Sequence, residues 1–258
     1  MCISMIPRLG LLFVCSSALA AEPLSFSEQA LFRGVFHTNI SSSGTSFGQG
    51  MGLLDLDGDD DLDIILGGAA GGLVNIYEND GTGNFTNRNA VANIAPIMCS
   101  TISAADYDND GDQDIFIGGW LESSKLYRND GNFVFTDVSA TAGVDVVIAA
   151  MGASWTDYNH DGYMDLYVPA RTGSFNNFEL NKFFENNGDG TFIEVAVALG
   201  IHADDDPTLL SAFFDFDRDG DDDLYLGTDK GSSQNWWNRN HGRCKCIRVH
   251  RLHGDRGC

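Results

Sequence analysis

Lysine and arginine are scarce in this chain of 258 residues, where 15 basic side chains stand against 37 aspartates and glutamates and the net charge is −22. Because such a surface repels phosphate groups, the composition excludes a general nucleic-acid binder and a protein that binds anionic membranes. Apolar residues make up 43% of the chain and aromatic residues 11%. The sequence therefore predicts a folded acidic protein with a substantial core.

Long apolar runs are missing, apart from a short one near the N-terminus. Arg8 precedes the apolar stretch 9–14, and Ala18-Leu-Ala20 has the small-x-small pattern of a cleavage site. The stretch is too short to span a bilayer, so residues 1–20 are predicted to be a signal peptide and no membrane span is expected. We expect the mature chain to be secreted, or periplasmic if the source is bacterial.

Cysteine is rare in the predicted mature chain, where Cys99, Cys244, Cys246 and Cys258 remain. Cys99 falls in a predicted strand and is interpreted as a small buried apolar residue. The other three lie near the C-terminus, where two of them could form a disulfide, but the sequence does not show which two would pair. Their spacing and neighbours exclude a zinc site.

Catalytic motifs are also missing, since no G-x-S-x-G, H-E-x-x-H or Cys/His arrangement occurs. His37, His160 and His202 stand alone in the sequence. We therefore expect a protein that is not an enzyme.

A nine-residue acidic loop is present four times, and more than half of the acidic residues lie in it. The loops start at Asp55, Asp106, Asp157 and Asp215, which are 51, 51 and 58 residues apart. Oxygen side chains at positions 1, 3, 5 and 9 can converge on one ion, and position 7 can add its backbone carbonyl. The candidate metal residues are Asp55, Asp57, Asp59, Asp61 and Asp63; Asp106, Asp108, Asp110, Asp112 and Asp114; Asp157, Asn159, Asp161, Tyr163 and Asp165; and Asp215, Asp217, Asp219, Asp221 and Asp223.

Calcium is the ion that hard oxygen ligands in this number favour, so up to four Ca²⁺ ions are predicted. A single such loop could also be a solvated turn without a metal, because Asp, Asn and Gly are common turn residues. Four copies at the same place in each repeat favour a metal site. Position 6 is glycine in three loops and Asp60 in the first, which still tolerates a left-handed backbone. Loop 3 has Asn159 at position 3 and should bind most weakly.

An EF-hand is excluded, because that motif needs a glutamate at position 12 and flanking helices. Here a short β-branched and aromatic run follows each loop, so the loop is predicted to be a hairpin turn whose ninth residue begins the outgoing strand. Between loops lies a second repeated pattern, an aromatic strand, an Asn/Gly-rich turn and a Phe-x-Asp/Glu strand. The copies of that last strand are 26–28, 135–137 and 192–194, and 85–87 is a degenerate copy with Asn87 in place of the acid.

The repeated unit predicts an all-β fold, a β-propeller of four-stranded antiparallel blades. About four blades are encoded, as a small closed ring or as part of a larger propeller. A fourth-strand pattern precedes the first loop, and none follows the third strand predicted near Gln234–Trp237. The N-terminal strand would then complete the last blade. We assign residues 21–238 to the propeller and residues 239–258 to a basic tail containing Cys and His.

The tail leaves three interpretations open: an arm that binds a partner, a segment that docks on the acidic rim, or a truncated or altered end of a longer gene. The chain itself can likewise be read as part of a larger propeller. Trp120, Trp155, Trp236 and Trp237 fit either blade packing or a surface for carbohydrate or a protein partner.

These residues resemble the FG-GAP/VCBS repeat proteins, most closely the ASPIC/UnbV branch that includes cartilage acidic proteins. The stretches that carry the resemblance are 155–167, 187–192 and 200–201, besides the acidic loops. The resemblance implies a propeller and calcium ligation by the loop aspartates. Family propellers usually have about seven blades, and the C-terminal segment of the branch is not recognisable here.

The function predicted from the sequence is a secreted calcium-binding propeller that acts as an interaction or adhesion module. Its ions are structural, and its partner is an extracellular protein or glycan. The alternative is a propeller scaffold or accessory domain of an extracellular hydrolase or lyase, or a carbohydrate binder.

Overall fold

The computed structural model describes residues 29–36, 50–68, 72–171, 180–202, 207–216, 218, 220–228 and, by its backbone alone, 245–248. These residues form four antiparallel sheets that follow one another along the chain. No helix in this described part is long and apolar enough to cross a membrane. The predicted signal peptide and the first Phe-x-Glu strand lie outside the described residues.

Sheets 1 and 3 each contain four strands in chain order. Sheet 1 is built from β1 (Met51–Leu54), β2 (Asp63–Leu66), β3 (Asn75–Asn79) and β4 (Phe85–Asn87). Sheet 3 is built from β10 (Ser154–Thr156), β11 (Asp165–Val168), β12 (Lys182–Asn186) and β13 (Phe192–Glu194).

Sheet 2 has five strands, and sheet 4 has three in the described part. Sheet 2 is built from β5 (Cys99–Ala105), β6 (Asp114–Ser123), β7 (Lys125–Asn129) and β8 (Phe135–Asp137), with β9 (Val147–Ala149) paired to the far end of β6. Sheet 4 is built from β14 (Thr208–Phe214), β15 (Asp223–Thr228) and β16 (Lys245–Arg248).

The predicted order of strands within the repeat is confirmed. Each acidic loop joins the first strand of a sheet to the second, and the ninth residue of the loop begins that second strand in all four sheets. The predicted third and fourth strands are present in sheets 1 to 3, paired antiparallel. The acidic loops are thus hairpin turns, and no EF-hand geometry is formed.

Two strands differ from expectation. β6 continues through Gly118 and Gly119, beyond the short run predicted after the loop, because β9 supplies backbone partners for Trp120–Ser123. In sheet 4, β16 from the predicted tail pairs with β15, whereas the strand predicted near Gln234–Trp237 lies outside the described residues. The basic residues of the tail hid this strand in the sequence.

Short helical turns follow the fourth strands of sheets 1 to 3. They are α1 (Asn89–Ala92), α2 (Ser139–Ala142) and α3 (Ala196–Leu199), which end at left-handed Asn93, Gly143 and Gly200. A 3-10 turn, Ala30–Arg33, ends in the same way at Gly34. A Cβ on Gly34 would lie 2.1 Å from the Phe85 carbonyl oxygen, so this glycine allows residues 29–36 to lie against sheet 1.

The core lies between consecutive sheets, in three clusters. In β6, Ile115 and Ile117 face the cluster shared with sheet 1, while Phe116 faces the one shared with sheet 3. In β11, Leu166 and Val168 face back toward sheet 2, and Tyr167 faces sheet 4. The strands β6 and β11 therefore bury both faces, which is why the sequence after their loops is continuously apolar.

The outer faces of the first and fourth sheets remain exposed. Leu53 of β1 is 56% exposed. The residues at the same position of the third and fourth repeats, Trp155 and Phe213, instead pack in the core between their own sheet and the one before it. At the other end, Leu210 and Phe214 of β14 are 49% and 42% exposed. The two end sheets thus present apolar faces of the kind that are buried between neighbouring sheets.

Buried asparagines at the ends of the third strands link sheets 2 and 3 each to the sheet before it. Asn186 Nδ2 donates to the Tyr107 carbonyl of loop 2 (2.8 Å) and to the Met164 carbonyl of its own loop (3.2 Å). Asn129 makes the same pair of bonds to Leu56 and Gln113. A buried carbonyl without a hydrogen-bond partner destabilises the fold, so these side chains hold neighbouring loops at a fixed spacing.

Replacing Asn186 with alanine should lower the free energy of unfolding by roughly 2–4 kcal/mol, because buried polar groups of two sheets lose their partner. The adjacent Asn187 is exposed and its amide bonds only Thr191 Oγ1 (3.0 Å). Asn187→Ala should therefore change stability by less than about 1 kcal/mol. Urea unfolding of both variants measures the difference, and equal losses would contradict the linking role.

Candidate metal centres

The aspartate at position 1 orders the acidic loop by accepting backbone hydrogen bonds. Asp106 Oδ1 accepts from the Asp110 N–H and Oδ2 from the Gly111 N–H, both at 3.0 Å. Asp157 does the same with the N–H groups of residues 161 and 162. In loops 1 and 4, Asp55 and Asp215 accept the equivalent bond from position 6. The first carboxylate thus folds positions 5 and 6 back over the loop.

Two positions of the loop have a left-handed backbone. Position 6 is left-handed in every loop, as predicted, and this includes the non-glycine Asp60 with φ 70°. Position 4 is left-handed too, at Gly58, Asn109, His160 and Arg218. Sequence reasoning missed position 4, because glycine or asparagine marks it in only two of the four loops.

The aspartate at position 9 is the most buried acid of each of the first three loops. Asp114 is fully buried, and its two oxygens accept from the Tyr107 N–H (3.1 Å) and the Asn129 N–H (2.8 Å). Asp63 and Asp165 have equivalent partners, and Asp223 accepts from the Phe216 N–H. This carboxylate therefore joins the loop to the third strand of its sheet.

The aspartate at position 3 supplies the unpaired oxygen of the site. Asp57 Oδ1 and Asp108 Oδ1 are buried and have no hydrogen-bond partner among the described residues. A buried oxygen of this kind calls for a cation or ordered water. Asp57 lies with Asp55 and Asp63, and Asp108 with Asp106 and Asp114, each set with ligand oxygens within 4.8 Å of one another.

Positions 5 and 7 lie outside these clusters of carboxylates. Asp59 and Asp110 at position 5 each accept a hydrogen bond from the N–H of position 7, at 2.9 and 3.0 Å. Asp161 in loop 3 accepts the same bond from Tyr163. The structure thus brings positions 1, 3 and 9 together in loops 1 and 2, and it turns one oxygen of position 5 toward the loop backbone.

Loops 3 and 4 form no such cluster within the described residues. In loop 3, Asn159 replaces the carboxylate, and its amide Nδ2 donates to Asp161 Oδ2 (2.9 Å). In loop 4, Asp217 and Asp219 lie outside the described residues, while Asp215, Asp221 and Asp223 are described. The metal residues predicted for loop 4 are therefore only partly placed.

Burial gives the loop carboxyls an unusual affinity for protons. It raises the pKa of Asp63 to about 6 and the pKa of Asp114 and Asp165 to about 7, against the lowering effect of their backbone hydrogen bonds. Burial and then neighbouring carboxylates also raise the pKa of Asp57 and Asp108. A divalent cation would remove this penalty by stabilising the ionised form.

Contacts between successive loops connect the candidate centres. Asn109 Nδ2 of loop 2 donates to the Gly162 carbonyl of loop 3 (3.0 Å). His160 Nε2 of loop 3 lies 3.3 Å from Asp221 Oδ1 of loop 4. Side chains at position 4 of loops 2 and 3 thus reach the next loop, while Asn129 joins loop 2 to loop 1 and Asn186 joins loop 3 to loop 2. Sequence reasoning read these asparagines only as turn residues.

Comparison with known proteins agrees with the loop pattern. A model of the FG-GAP-like repeat matches residues 55–117 and 106–168, which contain the first three acidic loops. Cartilage acidic protein 1 of Homo sapiens and of Mus musculus are each 33% identical over 113 residues, which is 43% of this chain. The matched segment is 15% of the human protein and 16% of the mouse protein. The predicted resemblance is confirmed over this part of the chain.

The thermal stabilisation by calcium should grow as the pH rises from 5 to 8. In metal-free protein, the raised pKa of Asp63, Asp114 and Asp165 favours folding at low pH, and this contribution is lost as the pH rises through about 6 to 7. Calcium binds the ionised form, so its effect is largest above that range. Melting curves with and without calcium at pH 5, 6, 7 and 8 test this; a constant difference would contradict it.

Proposed function

We propose that this chain, whose residues 55–168 are FG-GAP-like repeats, is a secreted calcium-binding β-propeller that acts as an interaction module. Its ions are structural, and it catalyses no reaction. The observation that carries this proposal is the unpaired, buried oxygen of Asp57 and of Asp108 inside each three-carboxylate cluster.

The donor set favours calcium over softer metals. Every candidate ligand in the clusters is a carboxylate oxygen, and no histidine or cysteine joins them in the described residues. Hard oxygen ligands select Ca²⁺, Mg²⁺ or Mn²⁺, and an irregular loop suits the flexible coordination of Ca²⁺ better than the octahedral demand of Mg²⁺. Asp55, Asp57 and Asp63 would hold the ion of loop 1, and Asp106, Asp108 and Asp114 that of loop 2.

A cation in the loop would brace more than the loop itself. The position-9 aspartate begins the second strand and accepts a hydrogen bond from the third, so an ion beside Asp114 is tied to β6 and β7. Asn129 then carries the connection into loop 1 through the Leu56 carbonyl. The ions would therefore rigidify one edge of all the linked sheets.

The sheets fit the blades of a propeller. Consecutive sheets pack face to face, and the first strands β1, β5, β10 and β14 are neighbours in that order. Ring closure, by the two end faces or by further blades, would bury Leu53, Leu210 and Phe214. Residues 29–36 lie beside sheet 1 as the segment after a fourth strand should, which supports the predicted N-terminal strand of a neighbouring blade.

An interaction role is supported by the proteins that this chain resembles and by the contacts that its acidic side chains make. The similar segment belongs to proteins named cartilage acidic protein, which agrees with a predicted signal peptide and an extracellular protein or glycan as partner. The densest carboxylates here are held by loop N–H groups or gathered in the clusters, which leaves them poorly placed for acid–base catalysis.

Calcium should raise the melting temperature, and excess EGTA should lower it. One site at a free concentration 100 times its Kd adds about 2.7 kcal/mol, which corresponds to roughly 5–10 °C for a chain of this size. Asp108→Asn should remove much of the calcium effect, while Asp145→Asn, the same charge change at an exposed acid outside the loops, should leave it intact. An unchanged melting temperature in EGTA would refute the calcium proposal.

Asn159→Asp should strengthen calcium binding by loop 3 by roughly tenfold, because it restores the carboxylate found at position 3 of the other loops. Isothermal titration would then show one more tight site than in the wild-type chain. Asn187→Asp adds the same charge at an exposed turn and should not change the number of sites. Equal titrations for both variants would show that charge alone, and not the position, sets the affinity.

A further inference from the structure

A polar groove of about 380 Å³ lies between sheets 2 and 3. Its wall on the side of sheet 2 contains Tyr107, Arg128, Val138 and Thr141, and its wall on the side of sheet 3 is the turn 188–191. Tyr107 gives the groove an aromatic floor, and its ring packs on that of Phe192 beneath, with centroids 5.8 Å apart. The groove therefore combines an apolar floor with a charged rim.

The equivalent place between sheets 1 and 2 is filled by a side chain of the protein itself. The turn between β7 and β8 carries Phe133, which is 3% exposed and packs in the cluster shared by these sheets. The guanidinium carbon of Arg88 lies 5.8 Å from the centre of its ring. Phe133 has a left-handed backbone, with φ 61°, so a bulky residue is held there at some cost in strain.

Between sheets 2 and 3 the same positions carry smaller residues. Gly190 replaces Phe133, and Val138 replaces Arg88. A Cβ added to Gly190 would meet no atom within 4 Å, so the space that the ring fills in one interface is open in the next. Arg128 of the third strand lines this groove, and its guanidinium pairs with Asp130 at 2.8 Å. The other guanidinium N–H groups and the flat face of the group can still contact a ligand.

Acidic side chains lie at the opening. Asp130 and Asp189 are exposed beside it, and the whole chain carries a net charge of −22. Positively charged groups would therefore be attracted to the rim.

We infer that the groove between sheets 2 and 3 docks an aromatic side chain of a partner peptide that is flanked by lysine or arginine. The ring would take the place that Phe133 takes in the neighbouring interface, with Arg128 able to contact its face and the basic residues meeting the acidic rim. This inference names the docking surface of the interaction module and rests on that proposed function.

Short peptides test the groove in the calcium-loaded full chain. The probe is acetyl-Lys-Gly-Phe-Gly-Lys-amide, compared with the same peptide carrying Ala for Phe and with one carrying Glu for both lysines. Saturation-transfer NMR titration should show binding of the first peptide and at least tenfold weaker binding of the other two. No transfer to the Phe peptide would overturn the inference.

Gly190→Phe should fill the groove and weaken binding of the Phe peptide at least tenfold. Gly83→Phe is the matched control, because Gly83 has the same position in the turn of sheet 1 and a similar φ, 80° against 84°. It should bind the peptide as the wild type does. Thr141→Phe, on the exposed face of α2, blocks the groove from the other wall and replaces Gly190→Phe if that variant fails to fold. Unchanged binding in the blocked variant would overturn the inference.

The other occupants give different results. If the double variant Trp236→Ala/Trp237→Ala binds the Phe peptide and the wild type does not, the chain fills the groove with its own segment. Wild-type dimerisation that Gly190→Phe abolishes would point to a second copy. Either result overturns the assignment to a partner peptide. The melting temperature with and without calcium, measured on the same samples, separates a failure of the groove from a failure of the calcium proposal.

Discussion

The aspartate at the ninth position of the acidic loop, buried in the first three loops, is the group on which the arrangement of the sheets depends. It begins the second strand, accepts a backbone hydrogen bond from the loop, and in sheets 1 to 3 accepts another from the third strand. No neutral side chain of that size could accept both bonds with two equivalent oxygens. Burial of its carboxyl group away from water raises the pKa of that group, and a cation beside it would stabilise the ionised form.

The same contacts extend from one sheet to the next. The third-strand asparagine that donates to this aspartate also donates to the loop of the preceding sheet. Packing between sheets then buries both faces of the central strands. Residues beside this frame differ from repeat to repeat. Phe133 in one turn and Gly190 in the next are an example, and they leave one interface closed and the other open.

Much of the fold could be predicted from the sequence, because the loop and the Phe-x-Asp/Glu pattern recur in a fixed phase. Asp63, Asp114, Asp165 and Asp223 were correctly predicted to begin strands. The left-handed backbone at Asn109 and His160 was missed, since no single residue type marks position 4. β9 and the extension of β6 depend on pairing between distant segments, which local patterns do not show. The role of Asn129 was missed because a turn asparagine looks alike whether it is buried or exposed.

The hydrogen bonds between neighbouring sheets join equivalent residues, as Asn129 to Leu56 and Asn186 to Tyr107 show. Repeats 2 and 3 thus each donate from the third strand to the loop of the repeat before, and these two repeats are interchangeable in this respect. Duplication or loss of one whole repeat in a gene would leave every such bond with a matching partner. Evolution can therefore change the number of sheets without redesigning these contacts, while the side chains beside the frame are free to diverge.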